Sequence, residues 1–140
     1  MAELIISSKD NRNVKLVRSL ADKKGRRASG LFLAEGVANI REALASDLQA
    51  EMLLYADGCQ SRPALADLLE QAEAKGAKLL ALPPNLLAGL AQTEESQGLL
   101  LVLRQPACST KAFAAAAAGR SVAVLDGLQD PGNVGTILRT

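Results

Sequence analysis

Between residues 31 and 104, short apolar runs alternate with segments whose apolar residues recur at helical spacing. This alternation narrows the available folds more than any other feature of the chain. LFLAEG (31–36), AEMLLYA (50–56), AKLLAL (77–82) and GLLLVLR (98–104) are too short to be independent helices and read as strands. Between them, Val37, Ile40 and Leu44 keep a helical period to about Ser46. Leu65, Leu68, Leu69 and Ala72 do the same after Ser61-Arg62-Pro63, and Leu86, Leu87 and Leu90 after Pro83-Pro84. Ser61 is expected to cap the middle helix, with Pro63 in its first turn and Gly76 ending it. Strands apolar throughout call for cover on both faces, so the expectation is an α/β fold, a three-layer α/β/α sandwich with a mostly parallel or mixed sheet. Aromatic residues are 2% of the chain, which leaves Leu, Ala and Val to fill the core, with Phe32 and Tyr55 expected inside it.

Before the first strand, Val14, Val17 and Leu20 form one apolar stripe on a helix over 11–21, with Arg12, Lys15 and Arg18 outside the stripe. KKGRRASG (23–30) reads as a basic loop broken by Gly25. Residues 1–27 hold eight of the sixteen Lys and Arg residues against three acids, Glu3, Asp10 and Asp22. A net charge of +1 therefore conceals a basic first fifth of the chain, the footprint of a polyanion binder. Arg12, Lys15, Arg18, Lys23, Lys24, Arg26 and Arg27 are the candidate nucleic-acid contacts. They suit phosphates, which give affinity without sequence choice.

Other chemistries are excluded or unsupported. The chain has no histidine, which removes Ser-His-Asp and Cys-His nucleophiles and most zinc sites, and no metal is expected. Cys59 and Cys108 are far apart, without metal spacing, and read as ordinary reduced residues. No apolar run is long enough for a membrane span and the N-terminus lacks the h-region of a signal peptide, so the cytoplasm is the expected compartment.

After residue 105 the composition changes. QPACSTKAFAAAAAGR (105–120) reads as a linker containing an alanine-rich helix over 112–118. SVAVLDG (121–127) reads as a new strand. In DPGN (130–133), Pro131 and Gly132 suit a type II turn with φ > 0 at Gly132, and Asn133 suits the N-cap of a helix over 134–140. Gly135, in the first turn of that helix, allows close approach of backbone or ligand.

LDGLQDPGNVGTILRT closely resembles the first motif of the SpoU/TrmH family of RNA 2′-O-methyltransferases, a strand leading into DPxNxGxxxRT. Asp130, Pro131, Asn133, Gly135, Arg139 and Thr140 match it. The front of the chain is similar too: NRNVKLVRSLADKKGRR and GLFLAEG, with Phe32, Glu35 and Gly36, resemble the family's basic helix, KxxR-like loop and FxxEG strand end. SQGLLLVL (96–103) resembles that domain's closing strand. The resemblance implies an RNA substrate-binding domain over 1–105, similar to an RNA-binding ribosomal-protein fold, a linker over 106–120, and over 121–140 the start of a knotted SPOUT α/β domain. It implies an S-adenosylmethionine-dependent enzyme that methylates a ribose 2′-hydroxyl of rRNA or tRNA and works as a homodimer. Asn133 and Arg139 fall on catalytic positions, and Glu35, Gly36, Pro131 and Gly135 on structural ones. Glu35 is expected to pair with Arg26 or Arg27 rather than to face phosphate. The family's second and third motifs are not found in these residues. The chain is therefore expected to be a fragment that neither binds the cofactor nor catalyses by itself, with residues 106–140 mobile or held by a neighbour. Two other readings are a stand-alone RNA-binding module and a protein-interaction α/β domain whose basic helix pairs with an acidic partner.

Overall fold

The structure, a computed structural model, describes residues 5–93 and 97–139. Thr140 of the terminal motif, Ser96 of SQGLLLVL and Glu3 lie outside the described residues. The chain divides into two compact units, residues 1–106 and 107–140.

The first unit is a sheet of β1 (Leu31–Glu35), β2 (Ala50–Ala56), β3 (Lys78–Leu82) and β4 (Leu99–Arg104), in the order β1-β4-β2-β3. β4, last in sequence, is central: it runs antiparallel to both β1 and β2, while β2 and β3 are parallel. The sheet is therefore mixed, and β4 needs apolar side chains of both parities. Leu99, Leu101 and Leu103 enter one core cluster, with Ile40 and Leu44 of α3 (Val37–Ala45) and Leu65, Leu68, Leu69 and Ala72 of α4 (Pro63–Ala74). Leu100 and Val102 enter the other, with Val14 and Val17 of α1 (Arg12–Ser19), Leu20 at its C-cap, and Leu86 and Leu87 of α5 (Pro84–Ala88). Helices thus cover both faces. Tyr55 is buried, and Phe32, half-buried, packs against the first cluster. Ile6 N–H donates to Ala81 O at 2.9 Å, so the chain start lies against the outer edge of β3.

Two local expectations fail in this unit. KKGRRASG is not a loop: Lys23–Ser29 form α2, because Asp22 caps it and Gly30 ends it at φ 68°. Ser61 is not the cap of α4. It closes a 3₁₀ turn (Cys59–Ser61) by donating its hydroxyl to Gly58 O, and Arg62 takes the cap position.

The second unit holds α6 (Thr110–Ala117), capped by Ser109, and α7 (Pro131–Arg139). The expected strand over 121–127 does not form. A strand needs a partner for its backbone groups, and these residues are exposed and unpaired in any ladder among the described residues. The expected type II turn and Asn133 cap are also absent. Pro131 opens α7 directly, since its missing N–H costs nothing at a helix start. Asp130 does the capping: its Oδ1 accepts from Gly132 N at 2.8 Å and its carbonyl from Val134 N at 3.3 Å. Gly132 and Asn133 lie within the helix.

Candidate nucleic-acid interface

The basic segment folds into two short helices held end to end by polar contacts. Asn11 Oδ1 accepts from Asn13 N at 2.8 Å and starts α1; Asp22 Oδ1 accepts from Gly25 N at 2.7 Å and starts α2. No residue of α2 is buried, so apolar packing does not hold it. Instead its Arg26 reaches back with one guanidinium nitrogen to the carbonyls just past α1, Leu20 O of its C-cap at 2.8 Å and Ala21 O at 2.9 Å. The contact gives two carbonyls at the C-terminal end of α1 a charged donor, where a cation is favoured. Gly25 packs directly on α1: a Cβ there would lie 1.9 Å from Ser19 O.

This scaffold leaves Arg12, Lys15, Arg18, Lys23, Lys24 and Arg27 exposed, while Arg26 is half-buried and partly committed to its helix-end contact. Lys15 pairs with Asp10 at 3.1 Å, but both side chains are largely exposed and the pair is worth little. Ser19 faces α2, whereas Arg18, one residue earlier, lines a cleft with Pro83 and Asn85 beside α5. The charges therefore flank α1 on both sides.

Glu35 ends β1 in a different arrangement from the one expected. Its carboxylate accepts from Gln92 N at 2.7 Å, Thr93 N at 3.0 Å and Thr93 Oγ1 at 2.8 Å. It pairs with neither Arg26 nor Arg27, because backbone amides of the segment after α5 already occupy it. Gly36 follows at φ 82° and begins α3. The α3 start is closed from outside: Val37 N donates to Gln97 Oε1 at 2.9 Å, and Arg62 Nη2 donates to Gln97 O at 2.9 Å. Glu35, Gly36, Asn39, Thr93 and Gln97 line an open cleft of about 750 Å³. Only the first two stand out in the sequence. Thr93 and Gln97 lie about 60 residues away, and no local pattern marks them.

In the second unit Asn133 is an exposed residue of α7, and Arg139 is its last residue. The Arg139 guanidinium folds back along the helix over Gly135, where a Cβ would lie 3.4 Å from Nη1. The glycine thus leaves room for this chain's own arginine. None of the described residues 107–139 is buried. Among the described residues no group of His, Cys, Asp and Glu is placed to hold a metal, and no helix is long and apolar enough to cross a membrane.

A mixed four-stranded sheet covered by helices on both faces, with a basic helix pair at its start, defines an α/β domain suited to a polyanion. Residues 11–101 match the MRM3-like substrate binding domain, and the chain belongs to that family. It is 30% identical over 135 residues to the 23S rRNA (guanosine(2553)-2′-O)-methyltransferase RlmP of Bacillus subtilis, covering 96% of this chain and 49% of that protein. It is 33% identical over 141 residues to an uncharacterized tRNA/rRNA methyltransferase of Synechocystis, slr1673, covering 96% and 47%. The AdoMet-bound rRNA methyltransferase from Sinorhizobium meliloti shares the fold, with a TM-score of 0.69 at 22% identity over 96% of this chain and 49% of that one. The chain spans about half the length of the curated relatives it matches.

Proposed function

We propose that this chain is the RNA-capturing half of an S-adenosylmethionine-dependent methyltransferase that modifies ribose 2′-hydroxyls in ribosomal or transfer RNA. The observation that carries the reading is the exposed basic α1–α2 pair, set inside residues that match a substrate-binding domain. Lys23, Lys24 and Arg27 on α2, with Arg12, Lys15 and Arg18 on α1, meet backbone phosphates. With aromatics at 2%, stacking on splayed bases is not the main mode. The reading includes a homodimer, as the SpoU/TrmH resemblance implies, working in the cytoplasm.

On this reading residues 1–105 capture RNA, 106–120 link, and 121–140 begin the catalytic domain. S-adenosylmethionine, when bound to the enzyme, supplies the methyl group. The residues present do not enclose it: no residue of α7 is buried, so it offers no buried wall that could hold an adenosine. A cofactor pocket then requires the part of the relatives that this chain does not cover. Arg139 has a definite task. A guanidinium stays protonated and is a poor base, so it orients the target phosphate and stabilises a developing 2′-alkoxide. Its position over Gly135 keeps it along the α7 surface, and Asn133 lies nearer the start of the same helix.

The test is RNA binding over a salt series with folded fragments of ribosomal and transfer RNA, comparing the parent with Lys23→Ala/Lys24→Ala/Arg27→Ala. Arg26 is left intact because it holds α2 to α1. The slope of log affinity against log salt is expected to flatten by about 0.7–0.9 for each phosphate that is no longer neutralised. An unchanged slope would refute phosphate binding by α2.

A further inference from the structure

We infer that the cleft between α1 and α5 is a seat for one backbone phosphate of the captured RNA, formed by Lys9, Arg18, Ser7 and Asn85. The inference deepens the RNA-capture reading and rests on it. The cleft has a volume of about 420 Å³, within the range of ligand sites. Its lining brings Ser7 and Lys9, from the segment before α1, beside Arg18 near the end of α1 and Asn85 in α5. Two cations share the space and no acid lines it. The nearest acid in sequence, Asp10, does not line the cleft; its carboxylate lies 3.1 Å from Lys15. Neither Lys9 nor Arg18 has a carboxylate partner among the described residues.

Two like charges on one cleft repel each other, and an anion between them adds an attraction to each that outweighs the repulsion. The neutral groups suit the same ligand. Asn85 Oδ1 already accepts from Leu86 N at 2.9 Å, so the amide nitrogen is the end left to donate. The Ser7 hydroxyl is a second neutral donor. Pro83 and Leu86 add an apolar wall against which a ribose can lie. A phosphodiester therefore meets two cations and two neutral donors, with its sugar against carbon. The cleft also extends the interface, because Arg18 flanks α1 on the side away from α2. An RNA strand crossing α1 would reach phosphate-binding groups on both sides.

The test uses the intact protein that carries this chain, with the ribosomal and transfer RNA fragments and salt series above. Lys9→Gln, Arg18→Gln and the double variant are compared, with Arg18→Lys as the conservative control. If both cations hold one phosphate, the effects of the single substitutions are strongly non-additive, and the double variant flattens the salt slope by about 0.7–0.9 in total. Lys9→Gln combined with Lys24→Ala should instead be additive, and Arg18→Lys should retain most of the slope. Additive effects at Lys9 and Arg18, with a slope change twice as large, would overturn the single-phosphate seat. Binding that depends on α2 but is indifferent to Lys9 and Arg18 would overturn the cleft and leave RNA capture standing. No binding by the parent, even at low salt, would overturn both. Lys9 and Arg18 are exposed, and thermal unfolding of each variant confirms that the fold is retained.

Discussion

Gly25→Ala separates packing from helix propensity, because the two predict opposite signs. By propensity, alanine inside a helix is favoured over glycine by about 1 kcal/mol. In this structure the new methyl would lie 1.9 Å from Ser19 O, 2.6 Å from Ser19 C and 3.1 Å from Ser19 Cβ. The obstacle is mainly backbone of α1, whose buried Val14 and Val17 fix it to the sheet, so α1 cannot yield. α2 must move instead, by roughly 1.5 Å, a displacement typical of overpacked sites that cost about 1–3 kcal/mol. Moving it breaks the hydrogen bonds that hold it: Gly25 N to Asp22 and Arg26 to Leu20 O and Ala21 O. After the propensity gain is subtracted, a net destabilisation of about 1 kcal/mol is expected, a fall in Tm of about 4–8 °C. Because α2 buries no side chain, the damage should stay local. Amide exchange over Lys23–Ser29 should accelerate while β4 stays protected. RNA affinity should fall although no charge is removed. A rise in Tm, or unchanged exchange across α2, would show that Gly25 is an ordinary helix residue and that the close approach is not what positions the basic surface.

Other outcomes follow from single interactions. Glu35→Ala should destabilise the domain by about 0.5–1.5 kcal/mol, because Gln92 N and Thr93 N lose their acceptor at an exposed site where water can replace it; denaturant unfolding and exchange at those two amides measure it. Leu101→Ala, at a fully buried site in the central strand, should cost about 2–5 kcal/mol by the same unfolding assay. On the proposed reading, Arg139→Ala in the intact protein should abolish methyl transfer to its RNA with little change in Tm, since its exposed side chain lies along its own helix over Gly135. Full activity in that variant would remove Arg139 from the reaction.

The layers of the first unit were legible because periodicity reports burial directly. Leu65, Leu68, Leu69 and Ala72 sit where a helical stripe must face a core, and β4 is apolar at both parities because helices cover both sides. The order of the strands was not legible. Placing β4 between β1 and β2 depends on pairings such as Leu33 with Val102, about 70 residues apart, which no local pattern encodes. α2 was misread because it lacks an apolar stripe and contains a glycine. Its helix depends on the Asp22 cap, on Arg26 and on a close approach that only glycine permits. The same division holds for the interface. The cations of α1 and α2 were visible as a run of charge. Asn85, which the fold brings to Lys9 and Arg18 from the far side of the sequence, was not.

SVAVL illustrates the opposite error, a propensity read correctly in a place where it has nothing to act on. Val122, Val124 and Leu125 are 49%, 84% and 41% exposed, so side chains of both parities face solvent and neither face of the segment is covered. Burying such side chains is worth about 1.5–3 kcal/mol each, but a lone strand cannot collect it, because its amides and carbonyls find no ladder. β-Propensity is a fit to a half-buried pleated surface rather than an intrinsic backbone preference, so the segment forms no strand. In the 140-residue chain, amides over 121–130 should therefore exchange as fast as those of an unstructured peptide, while Leu100–Leu103 exchange only through global unfolding. In the intact protein, amides of Val122, Val124 and Leu125 should become protected if the remaining length supplies the neighbouring strands. Strong protection of 121–130 in a monomer of the 140-residue chain would mean that this segment folds on contacts of its own, and the reading of it as the beginning of a second domain would fail.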